Sequence, residues 1–133
     1  MNTRYADAYR ELIRITETNR IRLVLANYSM AVNAQSDSDV IEFYRHPFPA
    51  VRAQIKANEA HSTIVRTLAA ENPEICFVDT HQRMDGKHPY FIDLMHFTKQ
   101  GEEQMAEIFF DRIRSVLQTD LAAQPKSASF ISQ

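Results

Sequence analysis

The chain has 133 residues, one domain's worth, of which 44% are hydrophobic and 24% charged, the balance of a globular rather than a disordered protein. Lys and Arg total 15 against 17 Asp and Glu, a formal charge of -2 that argues against a phosphate-tracking, nucleic-acid-binding surface. Two glycines, Gly86 and Gly101, cannot write a GxGxxG fingerprint, a P-loop or a GxSxG elbow, and the single Cys76 excludes an internal disulfide or a multi-cysteine zinc knuckle.

In chain order, residues 3–18 read as a helix capped by Asn2 or Thr3, with Tyr5, Tyr9, Leu12 and Ile13 on one face and Asn19 as a left-handed terminator. The apolar run Ile21 to Ala26 reads as a strand. A long polar connection, 27–49, follows with two prolines and the Phe43-Tyr44 pair and Phe48, aromatics suited to capping a site or an exposed sheet. Residues 50–71 return to a helical pattern that buries Val51, Ile55, Ile64, Val65 and Leu68, and Asn72-Pro73 stops it. Ile75 to Val78 is a second strand. Within it Cys76 reads as a small buried hydrophobe rather than a reactive thiol. A third helix covers 99–117 and buries Met105, Ile108, Phe109, Ile113 and Val116, and residues 119–133 read as a loose tail.

Helix, strand, helix, strand, helix is the alternation of an α/β fold with a parallel sheet. Two parallel strands are too few, because such strands are covered on both faces and belong to larger sheets. The expected architecture is therefore a partial sandwich whose exposed strand edge invites association, including homo-oligomerisation. The N-terminus lacks the apolar core of a secretory signal, and no run approaches the ~18–20 apolar residues of a membrane span. As written, the chain is expected in a reducing, cytoplasmic compartment and off the membrane.

The chemistry-bearing stretch is Tyr90-Phe91-Ile92-Asp93-Leu94-Met95-His96-Phe97-Thr98-Lys99-Gln100-Gly101. Asp93 and His96 stand three apart just before a helix, so a turn there would bring both side chains to one side. The carboxylate can then hold one ring nitrogen and leave the other free to take a proton from a nucleophile. Thr98 suits the helix cap, Glu102 and Glu103 suit the positive end of the helix dipole, and Gly101 allows close backbone approach. Elsewhere, Asp79 at the end of a strand reads as an Asx-turn residue. Ser29 and Asn33 read as turn or cleft-lining residues. The spacings of His81, His88, His96 and Asp93 fit no zinc signature, and no metal or other cofactor is expected.

Asp-x-x-His, followed by an apolar residue, Thr, two further residues, Gly and an amphipathic helix, resembles the last sequence block of the SGNH (GDSL-type) hydrolases. The strand Ile75 to Val78 with Asp79-Thr80 resembles that family's final sheet strand, and the segment Ile21 to Ala26 the strand before it. The likeness spans about residues 5–118, with 119–133 as a tail, and Asp93, His96 and Gly101 are its most specific part. It implies an α/β/α sandwich that hydrolyses lipid, glycan or small-molecule esters, with Asp93 as orienting acid and His96 as general base. The family's nucleophile lies in an N-terminal Gly-Asp-Ser block, and its oxyanion hole uses that block with a glycine and an asparagine from two later ones. None has a match here. Ser38 follows Asp37 but no glycine or strand, Asn2 lacks a preceding glycine, and His61 stands where the family often carries Asn. The resemblance thus implies the C-terminal part of such an enzyme, its N-terminal strands missing, and inactive alone. The alternative expectation is a non-catalytic interaction module associating through its exposed sheet edge.

Overall fold

The computed structural model describes residues 3–123. Helix α1 (Arg4–Thr18) leads to strand β1 (Val24–Ala26), then helices α2 (Ser38–Arg45) and α3 (Val51–Glu71), strand β2 (Cys76–Val78), the single turn α4 (His81–Met84), a 3-10 turn at His88–Tyr90, and helix α5 (Lys99–Ala123). The two strands pair in parallel with Val24 opposite Cys76 and Ala26 opposite Val78, and α3 makes the crossover between them. The mixed helix and strand character read from the sequence is therefore present.

Successive strand residues turn to opposite faces, and the core divides accordingly. Leu25 packs in a cluster with Ala6 and Ile13 of α1 and Ile64, Val65 and Leu68 of α3, with Phe77 against it. Val78 joins a second cluster that includes Ile108 of α5, Ile41 and Tyr44 of α2, Val51 and Ile55 of α3, and Leu94. All five apolar positions expected to be buried on α3 are buried. Of the five apolar positions expected to be buried on α5, Ile108 is fully buried and Met105, Phe109, Ile113 and Val116 are half-buried. The α1 face lies a little round from the one expected: Ala6, Ile13 and Thr16 are buried, whereas Tyr5 and Leu12 are exposed.

Backbone alternation also assigns the strand edges. Cys76 N donates to Leu23 O, so Phe77 turns its backbone groups to the outer edge of β2, where its carbonyl accepts from Arg112 Nε at 2.9 Å. By the same alternation Val24 and Ala26 face away from β2, and no described residue hydrogen-bonds to their backbone on that side. An arginine takes the one outward carbonyl of β2, whereas the outward backbone groups of β1 have no partner among the described residues.

Several boundaries differ from those expected, each for a local reason. The left-handed residue after α1 is Arg20 (φ 55°), not Asn19. Arg20 N reaches Glu17 O and Ile21 N reaches Thr16 O, the double closure of a Schellman turn, which consumes Ile21 and delays the strand to Val24. Thr3 is the cap of α1, its hydroxyl accepting from Ala6 N, while Asn2 lies outside the described residues. The connection 27–49 is not wholly irregular, because α2 forms within it and buries Ile41 and Tyr44. Phe43 stays 71% exposed and caps nothing, whereas Tyr44 and Phe48 pack into the second cluster. Helix α5 runs through 119–123 instead of ending as a tail at 119, with Asp120 bonded to Arg22 Nε at 3.0 Å. The rest of that tail lies outside the described residues.

Candidate active site

The stretch 91–97 folds back on itself. Phe91 and Phe97 form an antiparallel bridge with ring centroids 5.2 Å apart, and Ile92 N donates to His96 O at 2.8 Å. Leu94 at the tip is wholly buried, and its carbonyl accepts from Ala31 N at 3.0 Å, which ties the loop to the segment leaving β1. Thr98 closes the loop from the other side. Its N–H reaches Tyr90 O at 2.9 Å, and its hydroxyl caps α5 by accepting from Gly101 N at 3.1 Å. A Cβ at Gly101 would fall on the Tyr90 carbonyl oxygen and within 3.2 Å of the Phe97 Cβ, so only glycine lets the helix start this close to the loop.

Within this frame Asp93 Oδ1 accepts from the backbone N–H groups of Met95 and His96, each at 2.8 Å, and Oδ2 accepts from His96 Nδ1 at 2.7 Å. The two backbone donors, then the imidazole, hold the Asp93 carboxyl down to about 2 from its ordinary 3.8, so it is ionised across the physiological range. An ionised partner at Nδ1 selects the tautomer with a proton there, which leaves the lone pair on Nε2. No described residue hydrogen-bonds to Nε2. The His96 side chain is 74% exposed, and an ion pair so placed contributes little to stability. The pair is held by the loop backbone rather than holding the fold, and it presents an oriented base to solvent.

Most of the other candidate residues are engaged in contacts away from this pair. His81 Nε2 lies 2.8 Å from the Tyr28 carbonyl and 3.0 Å from Ser62 Oγ. A carbonyl at that distance demands an N–H, so this nitrogen is a donor and cannot deprotonate Ser62. Asp79 accepts from Asn27 Nδ2 at 2.7 Å and from His81 N at 3.1 Å, the Asx turn read from its position. Burial works against its ionisation, but these bonds, with Arg66 and His81, prevail and lower its pKa. Asn27 also accepts from Thr80 N and Thr80 Oγ1, at 2.7 and 2.9 Å, and so pins the two strand ends together. Ser29 is buried against Thr80, with 2.7 Å between hydroxyl oxygens, and Asn33 holds a turn through Gln35 N and Asp85. Ser38 begins α2 at the surface, its hydroxyl reaching only Asp39. His61 meets Tyr9 OH at 3.2 Å, with the Tyr5 ring edge-on at 4.6 Å. His81, His88, His96 and Asp93 do not assemble; among the described residues no three potential ligands converge. No helix there is long and apolar enough to cross a membrane.

Beside the open edge of β1 lies a groove of about 980 Å3. Ala26 to Met30 form its floor, α1 and α3 one wall, and Met105 and Phe109 of α5 the other; Met95 and Phe97 bring it to the Asp93–His96 loop. Two α3 residues that sequence reasoning passed over, Gln54 and Asn58, line this groove with buried side-chain oxygens that have no partner among the described residues. Their only signal was polarity at otherwise buried helical positions. No family model, curated protein or solved structure matches this chain.

Proposed function

We propose that the chain is the C-terminal part of an SGNH-type ester hydrolase, with His96 as general base and Asp93 as the acid that orients it. The observation that carries this reading is the Asp93–His96 contact itself: a carboxylate ionised by two backbone donors, bonded to Nδ1, with Nε2 free. The sequence resemblance and the capped, glycine-dependent start of α5 behind the loop support it. On this reading α1 and α3 cover one face of the sheet and α5 the other, giving a three-layer sandwich short of its N-terminal strands.

The chemistry follows from the proton inventory. A serine hydroxyl supplied by an N-terminal segment transfers its proton to His96 Nε2 as its oxygen attacks the ester carbonyl. Asp93 stabilises the resulting imidazolium, which then protonates the departing alcohol; water repeats the cycle on the acyl-enzyme. The nucleophile and the oxyanion donors have no counterpart in this sequence, and loss of one oxyanion donor alone costs roughly 10²–10³ in rate. The 133-residue chain alone is therefore catalytically silent. Assayed with p-nitrophenyl acetate, it gives no turnover above buffer. Co-expressed with a segment bearing the Gly-Asp-Ser and oxyanion blocks, it gives turnover that His96→Ala abolishes. Hydrolysis by the isolated chain that depends on His96, or a complemented enzyme indifferent to His96, overturns the reading.

A further inference from the structure

We propose that the groove beside β1 receives a single extended, uncharged segment of a separate polypeptide, which pairs with the open strand edge as a third strand. This rests in part on the reading above, in which a further segment completes the sheet beside β1. Four observations define the occupant. The outward backbone groups of Ala26, on the groove floor, and of Val24, just beyond the groove's lining, have no described partner, a template for strand addition. The volume is that of one strand: rise, strand spacing and layer spacing of about 3.3, 4.8 and 10 Å give roughly 160 Å3 per residue. A groove of about 980 Å3 then holds about six residues.

Charge is the third observation. No Asp, Glu, Lys or Arg lines the groove. His61 has its pKa lowered, first by burial and then by His81, which keeps it neutral at pH 7. Complementarity selects an occupant without charge, because a charge placed there would be desolvated unpaired. The fourth is the pair of orphaned acceptors, Gln54 Oε1 and Asn58 Oδ1, buried in the α3 wall. Asn58 is only 9% exposed, and a buried carbonyl without a donor is a cost that an incoming N–H or hydroxyl removes. A second copy of this chain fits less well. Its own Ala26 lies on the floor of an identical groove, so two recessed edges would meet wall to wall before their backbones came into bonding range.

The probe is an acetylated, amidated Thr-Val-Thr-Ala-Val-Thr hexapeptide titrated into the full chain, followed by hydrogen exchange at individual amides and by fluorescence anisotropy of a labelled copy. The expected result is saturable binding with new protection at the Val24 and Ala26 amides. Binding is lost when the peptide is N-methylated on alternate residues. It is at least about tenfold weaker in Ala60→Glu, which places a carboxylate on the α3 wall at an exposed position that leaves the core untouched. No binding by the folded chain, or equal binding of the N-methylated peptide, overturns the proposal. So does a dimer, seen by light scattering, that Ala60→Glu dissolves, which would make the occupant a second copy. Binding seen only after truncation at Ala123 also overturns it, assigning the groove to the chain's own C-terminal residues. The readout is binding, so a failure of ester turnover on complementation would sink the hydrolase reading while the peptide titration still decides this one.

Discussion

At the scale of single residues, the Asp93–His96 pair is made by backbone geometry. Two N–H groups fix the carboxylate before the imidazole meets it, and the loop that supplies them is anchored by Leu94 below and Thr98 behind. Gly101 is the residue on which this arrangement turns. Alanine there would gain about 0.5–1 kcal/mol of helix propensity. Its methyl, however, would collide with a Tyr90 carbonyl already bonded to Thr98 N, and overpacking against immovable backbone costs about 1–3 kcal/mol. Gly101→Ala is therefore expected to be destabilising by about 1–2 kcal/mol net, read as a lower urea midpoint at unchanged slope. An unchanged or higher midpoint would show that the loop yields and that the close approach is incidental.

At the scale of elements, the end of α1 shows how a chain stops a helix without glycine. Arg20 occupies the left-handed C′ position of the Schellman turn, a conformation that costs a residue with a Cβ roughly 1–2 kcal/mol. No ion pair holds the Arg20 side chain among the described residues. Arg20→Gly is expected to stabilise the protein by about 1 kcal/mol, offset in part by the greater freedom of glycine in the unfolded chain. Thermal unfolding measures it, and a lower Tm would mean that the side chain makes a contact worth more than the strain. The same turn explains why β1 begins at Val24, and so why only three residues pair with β2.

At the scale of the molecule, proton linkage predicts how stability follows pH. His61, Asp79 and Asp93 all have lowered pKa values, so for each the folded state binds protons less readily than the unfolded chain. Their contributions are present above the ordinary values and are lost on acidification. His61 goes first, as pH falls below its ordinary 6.5, and Asp79 and Asp93 follow below 3.8, the latter down to about 2. Glu17, raised first by a hydrogen bond shared with Glu74, works in the opposite sense, since its repulsion is relieved by acid. Urea titrations between pH 8 and pH 3 should show stability falling in two steps, the upper one removed by His61→Gln. A flat profile down to pH 4 would contradict the upper step.

Much of this molecule could be read from its residues because the signals are local. Helical periodicity placed the buried face of α3, the Pro after Asn72 ended it, and two short apolar runs marked the strands. Three-residue spacing with a Thr cap and a glycine picked out Asp93 and His96. What could not be read depends on contacts between distant segments. The Arg22–Asp120 bond joins residues 98 apart in sequence where α5 continues past the expected tail, and Ile41 and Tyr44 give α2 a buried face only because a cluster exists to receive them. The groove is the clearest case. Its floor comes from the end of β1, its walls from three helices, and its orphaned amides stand one turn apart on α3. Periodicity told which side of each helix is apolar. Only packing in three dimensions decided that an apolar strip beside the outer edge of β1 would be left uncovered by the described residues.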